Sequence, residues 1–147
     1  MSDDTADMIN LQSRGALRTL LEGRSDEEIQ QFVAMLGIGP LFDMVIPAMI
    51  ERFNAAQAGN QAAVVQFDVR DQEGTLHSFH IDVTDGVCTG ESGAAETPRL
   101  TLTFAVPVFL RFLSGLLDPM QAFMSGQLQV SGDMMFAMTF QGWFTLD

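Results

Sequence analysis

Apolar residues recur at helical spacing in the first third of the chain, alternate with polar ones in the middle, and crowd together toward the end. Met8 to Leu21 carries Met8, Ile9, Leu17, Leu20 and Leu21 and stops near Gly23, which predicts a first helix. Ser25-Asp26-Glu27-Glu28 has the spacing of a capping box, in which the serine hydroxyl and the glutamate side chain exchange bonds with each other's backbone N–H. The helix it opens places Ile29, Phe32, Val33 and Leu36 on one side. Gly37-Ile38-Gly39-Pro40 reads as a break. Pro47 suits a first helical turn, so a short turn at Leu41–Val45 and a main helix from Pro47 to about Ala58 are expected.

The period then falls to two. Val65, Phe67 and Val69 share one face of a strand over 63–69, and Phe79, Ile81 and Val83 share one face of a strand over 76–83. Asp85-Gly86 marks a hairpin into a shorter strand from Val87 to Glu91. A fourth strand, Arg99 to Ala105, points Leu100, Leu102 and Phe104 one way. Pro107 opens a helix with Val108, Phe109, Phe112, Leu113 and Leu116. Asp118-Pro119 caps and starts another, which Ser125-Gly126 ends. Gln127 to Ser131 is a fifth strand with Leu128 and Val130 on one face, and Gly132-Asp133 starts a last helix to about Gly142. This order predicts an α+β fold, its sheet beginning as an antiparallel meander.

Composition narrows the functions open to such a fold. The chain has 147 residues, enough for one core, with 47% hydrophobic residues and a formal net charge of −12. Mean hydropathy is nevertheless +0.17, so much apolar surface has to be hidden in a core, a cavity or an interface. Its cations are seven Arg and two His, without a single Lys. That argues against a polybasic nucleic-acid surface, a phosphate-binding P-loop and a Schiff-base lysine, and weakens attraction to anionic membranes. One cysteine, Cys88, gives neither an internal disulfide nor a cysteine zinc cluster. The acidic start lacks an apolar signal core, and the uncharged runs over 119–132 and 134–146 fall short of the roughly 20 residues that span a bilayer. A cytoplasmic protein without a resident cofactor or metal is expected.

Residues 100–147 hold seven Phe and five Met but only four charged residues, Arg111, Asp118, Asp133 and Asp147. Met134, Met135, Phe136, Met138, Phe140 and Trp143 lie on most sides of the last helix, so it has to be covered on most sides. Composition leaves three readings: an ordinary core helix, which is the simplest, a dimer interface, or a helix between the sheet and an apolar ligand. Flexible, polarisable methionines suit a partner of variable shape.

The local sequence carries more. Arg99-Leu-Thr-Leu-Thr-Phe is followed by Asp118-Pro119, Ala122-Phe123-Met124, Gly126-Gln127-Leu128-Gln129-Val130 and Gly132-Asp133. This spacing resembles the sterol carrier protein type-2 domain family, over roughly Ile46 to Phe144. The resemblance implies a five-stranded, largely antiparallel sheet covered by helices, with an apolar tunnel between them. It implies a lipid-binding domain over residues 46–147 and an N-terminal helical extension over 1–45. Lipid, fatty-acyl or sterol-like ligands are the implied partners, bound without catalysis and in some members transferred. A homodimer, or support of a lipid- or quinone-pathway enzyme, is the alternative. By position, the implied ligand-binding residues of the tunnel are Leu102, Phe104, Phe109, Phe112, Leu113, Leu116, Phe123, Met124, Met135, Met138 and Trp143. The lysines usual in the glycine-flanked segment are Gln127 and Gln129 here, which argues against recognition of anionic headgroups or coenzyme A phosphates.

No catalytic constellation competes with that reading. His77 and His80 are three apart on a strand and so point to opposite faces. Asp82, Asp85, Glu91 and Glu96 lack calcium-loop spacing. Cys88 has no base beside it and acidic neighbours. Gly37-Ile38-Gly39 follows a helix rather than a strand, so it is no dinucleotide fingerprint.

Overall fold

A computed structural model describes residues 16–114 and 116–144. The helices are α1 (Ala16–Leu21), α2 (Asp26–Leu36), α3 (Ile38–Glu51) and α4 (Ala55–Ala58) before the first strand. Strands β1 (Ala63–Arg70), β2 (Leu76–Thr84), β3 (Val87–Ser92) and β4 (Leu100–Ala105) follow, then α5 (Val106–Leu113), α6 (Pro119–Met124), β5 (Leu128–Gly132) and α7 (Met134–Gln141). The expected first helix is present from Ala16; its stretch from Met8 to Gly15 lies outside the described residues.

The capping box forms as read: Glu28 N–H donates to Ser25 Oγ at 3.2 Å, and Ser25 N–H donates to Glu28 Oε1 at 2.9 Å. The next expectation is corrected. A single helix runs over Ile38–Glu51 with Pro47 inside it, in place of a turn followed by a helix to Ala58. Proline cannot donate to the carbonyl four residues back, but Asp43 and Pro47 are both exposed, so water can satisfy the freed carbonyl. Leu41, Phe42, Val45, Ile46 and Met49 bury the other side and outweigh the lost bond. The break is Gly37, with φ +94°, which turns α3 through 101° from α2. Beyond its far end Asn54 caps the short α4, its side chain accepting from Ala56 N–H at 3.0 Å. The expected boundary at residue 46 falls within α3.

The five strands lie in the order β3-β2-β1-β4-β5. β1 with β2, β2 with β3, and β4 with β5 are antiparallel; β1 and β4 are parallel, Val65 opposite Leu100 and Val69 opposite Phe104. Alternation decides the faces. Val65, Phe67, Val69, Phe79, Ile81, Val83 and Leu100 are fully buried beneath the helices, whereas Gln66, Asp68, Ser78 and His80 point the other way. α3 covers β2 and β3, α5 covers β1 and β4, and α7 lies over β4 and β5, while α1 and α2 pack behind α5. The Arg111 guanidinium ties α5 to Asp26 at the start of α2 and to the Arg24 carbonyl.

An aromatic layer fills the centre. Phe67 stacks on Phe79 at 4.8 Å, with Phe104, Phe109 and Phe140 within 6.4 Å. Phe53 bridges to Phe144, and Asn54 N–H donates to the Trp143 carbonyl at 2.7 Å, so the segment just after α7 is tied beside the end of α3. Among the described residues no single helix is long and apolar enough to cross a membrane.

Candidate functional site

At the β4–β5 edge the inner face is only partly covered, with Val130 half-buried. Leu102 on β4 lies opposite Val130 on β5, and Phe104 opposite Leu128. The two helices that flank β5 in the chain, α6 before it and α7 after it, stand on either side of this pair. Both are short and capped: Asp118 accepts from Met120 N–H at 3.0 Å, and Asp133 accepts from Phe136 N–H at 3.0 Å. Gly132 makes the β5–α7 corner. Its φ is +102°, and a Cβ there would stand 2.5 Å from the Arg99 carbonyl oxygen, so the close approach requires glycine.

Between the helices and the strands lies an apolar groove of about 140 Å³. Its floor is Leu102, Leu128 and Val130, with Phe112 from α5 at the back. Met120 and Phe123 of α6 form one wall, and Met134, Ala137, Met138 and Phe140 of α7 the other. Among the described residues that line it, none is charged, hydroxylated or an amide. The three methionines of the walls are about half exposed, at 45%, 50% and 57% for Met120, Met134 and Met138. A cavity of this size accepts a benzene-sized hydrocarbon.

Of the residues expected by position, Leu102, Phe112, Phe123 and Met138 line this groove. Phe104, Phe109, Leu113 and Trp143 are instead buried in the core, and Leu116 is partly buried against it. Trp143 packs on Phe136 at 5.2 Å and on Phe140 at 5.8 Å. Met124 and Met135 project into solvent, 79% and 84% exposed. The groove is also lined by Met120, Leu128, Val130, Met134, Ala137 and Phe140, none of which the position-based expectation included. The shared face of Leu128 and Val130 was the available signal for two of them.

Arg99 fixes the start of α7. Its guanidinium lies 3.2 Å from Asp133 Oδ2 and 3.9 Å from the centre of the Phe136 ring. The Phe136 N–H, with help from Arg99, holds the Asp133 carboxyl below the usual aspartate range. The carboxylates of Asp118 and Asp133 therefore sit where α6 and α7 begin, beside the wall residues Met120 and Met134.

A second hollow, of about 310 Å³, lies between the α2–α3 bend and the β1–β2 turn. Asp71, Glu73 and His77 are among its walls, with Gln30 and Gln72 beside Val33, Ile38 and Val106, so its lining is mixed where that of the first groove is apolar. His77 Nε2 lies 2.8 Å from Asp71 Oδ2, and this contact pulls the Asp71 carboxyl below its ordinary value. His80 Nδ1 meets the Gly93 carbonyl at 2.9 Å. Cys88 is buried, and burial, with Asp82 nearby, pushes its thiol up to about 12, far from a reactive thiolate at neutral pH. The described residues contain no group of three or more His, Cys, Asp or Glu side chains able to hold a metal ion.

One five-stranded sheet with helices over one face makes this an α+β domain. The chain belongs to the SCP-2 sterol transfer family, whose model matches residues 49–145. Solved structures agree at the level of fold. Sterol Carrier Protein 2 from Yarrowia lipolytica, in its apo form, is similar with a TM-score of 0.55 and 21% identity over 70% of this chain and 85% of that one. The UbiJ-SCP2 ubiquinone synthesis protein gives 0.55 and 15% identity over 73% and 91%. The stereoselective inverting sec-alkylsulfatase Pisa1 from Pseudomonas sp. gives 0.62 and 18% identity over 71% of this chain, which spans only 16% of that enzyme's length.

Proposed function

We propose that this protein binds the apolar part of a lipid or fatty-acyl ligand, without catalysis, in the groove between α6, α7 and the β4–β5 edge. The observation that carries the reading is the groove itself: among the described residues, ten apolar side chains from five elements line a space whose surface is almost wholly apolar. Membership of the sterol transfer family supports the same ligand class. Transfer of that ligand between sites inside the cell is part of the proposal, as is a cytoplasmic setting. The half-exposed methionines of both walls support transfer, since flexible side chains let a chain enter and leave without breaking polar contacts.

Delipidated protein titrated with an apolar fluorescent naphthylamine tests this. Binding should be saturable and competed by long-chain alcohols, and native mass spectrometry of freshly purified protein should show co-purifying lipid. No saturable binding by folded protein would end the proposal.

The exposed Met124 and Met135 favour a second reading, an accessory module that docks a copy of itself or an enzyme of a lipid pathway through the outer sides of α6 and α7. Light scattering of the Met124→Ser/Met135→Ser variant decides it. A lost dimer with unchanged probe binding supports docking, and a monomer in both forms removes the dimer.

A further inference from the structure

Three of the ten residues that line the groove are methionines, and each reaches water: Met120 from α6, and Met134 and Met138 from α7, are about half exposed. A thioether open to solvent takes an oxygen atom from a peroxide and becomes a sulfoxide, which is polar. The chain's one cysteine does not compete for that oxidant. Cys88 is buried, and its thiol is held far from the thiolate form that peroxides attack. The other lining side chains, Leu102, Phe112 and Leu128 among them, have no hydrogen-bond donor to offer a sulfoxide. Met35, Met124 and Met135 are more exposed still and lie outside the lining, so they oxidise as readily without touching a ligand there.

We propose that Met120, Met134 and Met138 are oxidation sites that couple peroxide to ligand binding: oxidation of the groove walls expels the ligand, and a bound ligand shields the walls. The inference rests on the groove being the binding site proposed above. With hydrogen peroxide, the O–O bond breaks, one oxygen bonds to the methionine sulfur and the other leaves as water; sulfur loses two electrons and the peroxide gains them. The sulfoxide oxygen is then either buried unpaired beneath the ligand or turned to water, which withdraws its side chain from the ligand. Both lower affinity, by roughly tenfold on the scale of burying an unpaired polar group.

Delipidated protein treated with hydrogen peroxide, with and without saturating 1-octanol, tests the inference, the carbon-13 methyl resonances following each methionine separately. Octanol is expected to slow oxidation of Met120, Met134 and Met138 and to leave Met35, Met124 and Met135 unaffected. This comparison is read early in the reaction, on folded protein, so it decides the matter even if complete oxidation unfolds the chain. In protein that stays folded, oxidation should lower affinity for the fluorescent naphthylamine roughly tenfold, and methionine sulfoxide reductases should restore it. The Met35→Leu/Met124→Leu/Met135→Leu variant should show the same loss. The Met120→Leu/Met134→Leu/Met138→Leu variant, whatever its starting affinity, should show none. Equal rates at the wall methionines with and without octanol would overturn the inference while leaving the groove as the site. So would unchanged affinity after all three are oxidised, or a loss that persists in the wall variant. Failure of octanol and the naphthylamine to bind the untreated protein would refute the proposed function itself, and this inference with it.

Discussion

Ala137 lies on the groove side of α7, between Met134 and Met138, and Ala137→Trp puts an indole into a space of about 140 Å³. A cavity of that size takes about six carbons. At roughly 0.8 kcal/mol per methylene removed from water, filling it is worth about 5 kcal/mol before the cost of association. The absolute affinity depends on that cost, but the increment between homologous ligands does not. Affinity for a series of linear alcohols should therefore rise about fourfold per methylene up to about six carbons and then flatten, because further carbons leave the groove. In Ala137→Trp the series should be flat from its start, with circular dichroism unchanged. Competition against the fluorescent naphthylamine reads both curves. Affinity independent of chain length in the unaltered protein, or an unchanged slope in a folded Ala137→Trp variant, would refute the reasoning.

Three further outcomes follow from the packing. Phe67→Ala removes the centre of the aromatic layer and should cost about 3–5 kcal/mol in denaturant unfolding; a loss under 1 kcal/mol would contradict the packing. Arg99→Ala removes a partly exposed ion pair and a ring contact, so it should cost only about 1 kcal/mol in stability, with faster amide exchange confined to α7. The folded-state pKa values of Asp71 and Asp133 are depressed, so their stabilisation is complete above the unfolded value near 3.8 and is lost as pH falls below it. Acid unfolding should therefore steepen below about pH 4, and Asp71→Asn should remove part of that slope.

The strands were legible because one buried face forces alternation, and Val65, Phe67, Phe79 and Ile81 state that face directly. The caps at Ser25, Asp118 and Asp133 were legible because each is local chemistry. Pro47 misled, because its position alone does not say that Asp43 and Pro47 would share the wet side of α3 while Phe42 and Val45 hold the dry side. The parallel pairing of β1 with β4 joins segments 35 residues apart and leaves no local mark. The groove was half legible. Family position identified Leu102 and Phe112, but whether a methionine faces the groove or water depends on its angle around α7. That angle separates Met134 and Met138 from Met135.

Carbon-13 labelling of the methionine methyl groups offers the most direct measurement of the central claim. On addition of 1-octanol to delipidated protein, the resonances of Met120, Met134 and Met138 should shift in a saturable way. Met35, exposed on α2 far along the chain from the groove, should remain in place. Shifts at none of the three groove methionines, or equal shifts at Met35, would contradict binding between α6 and α7.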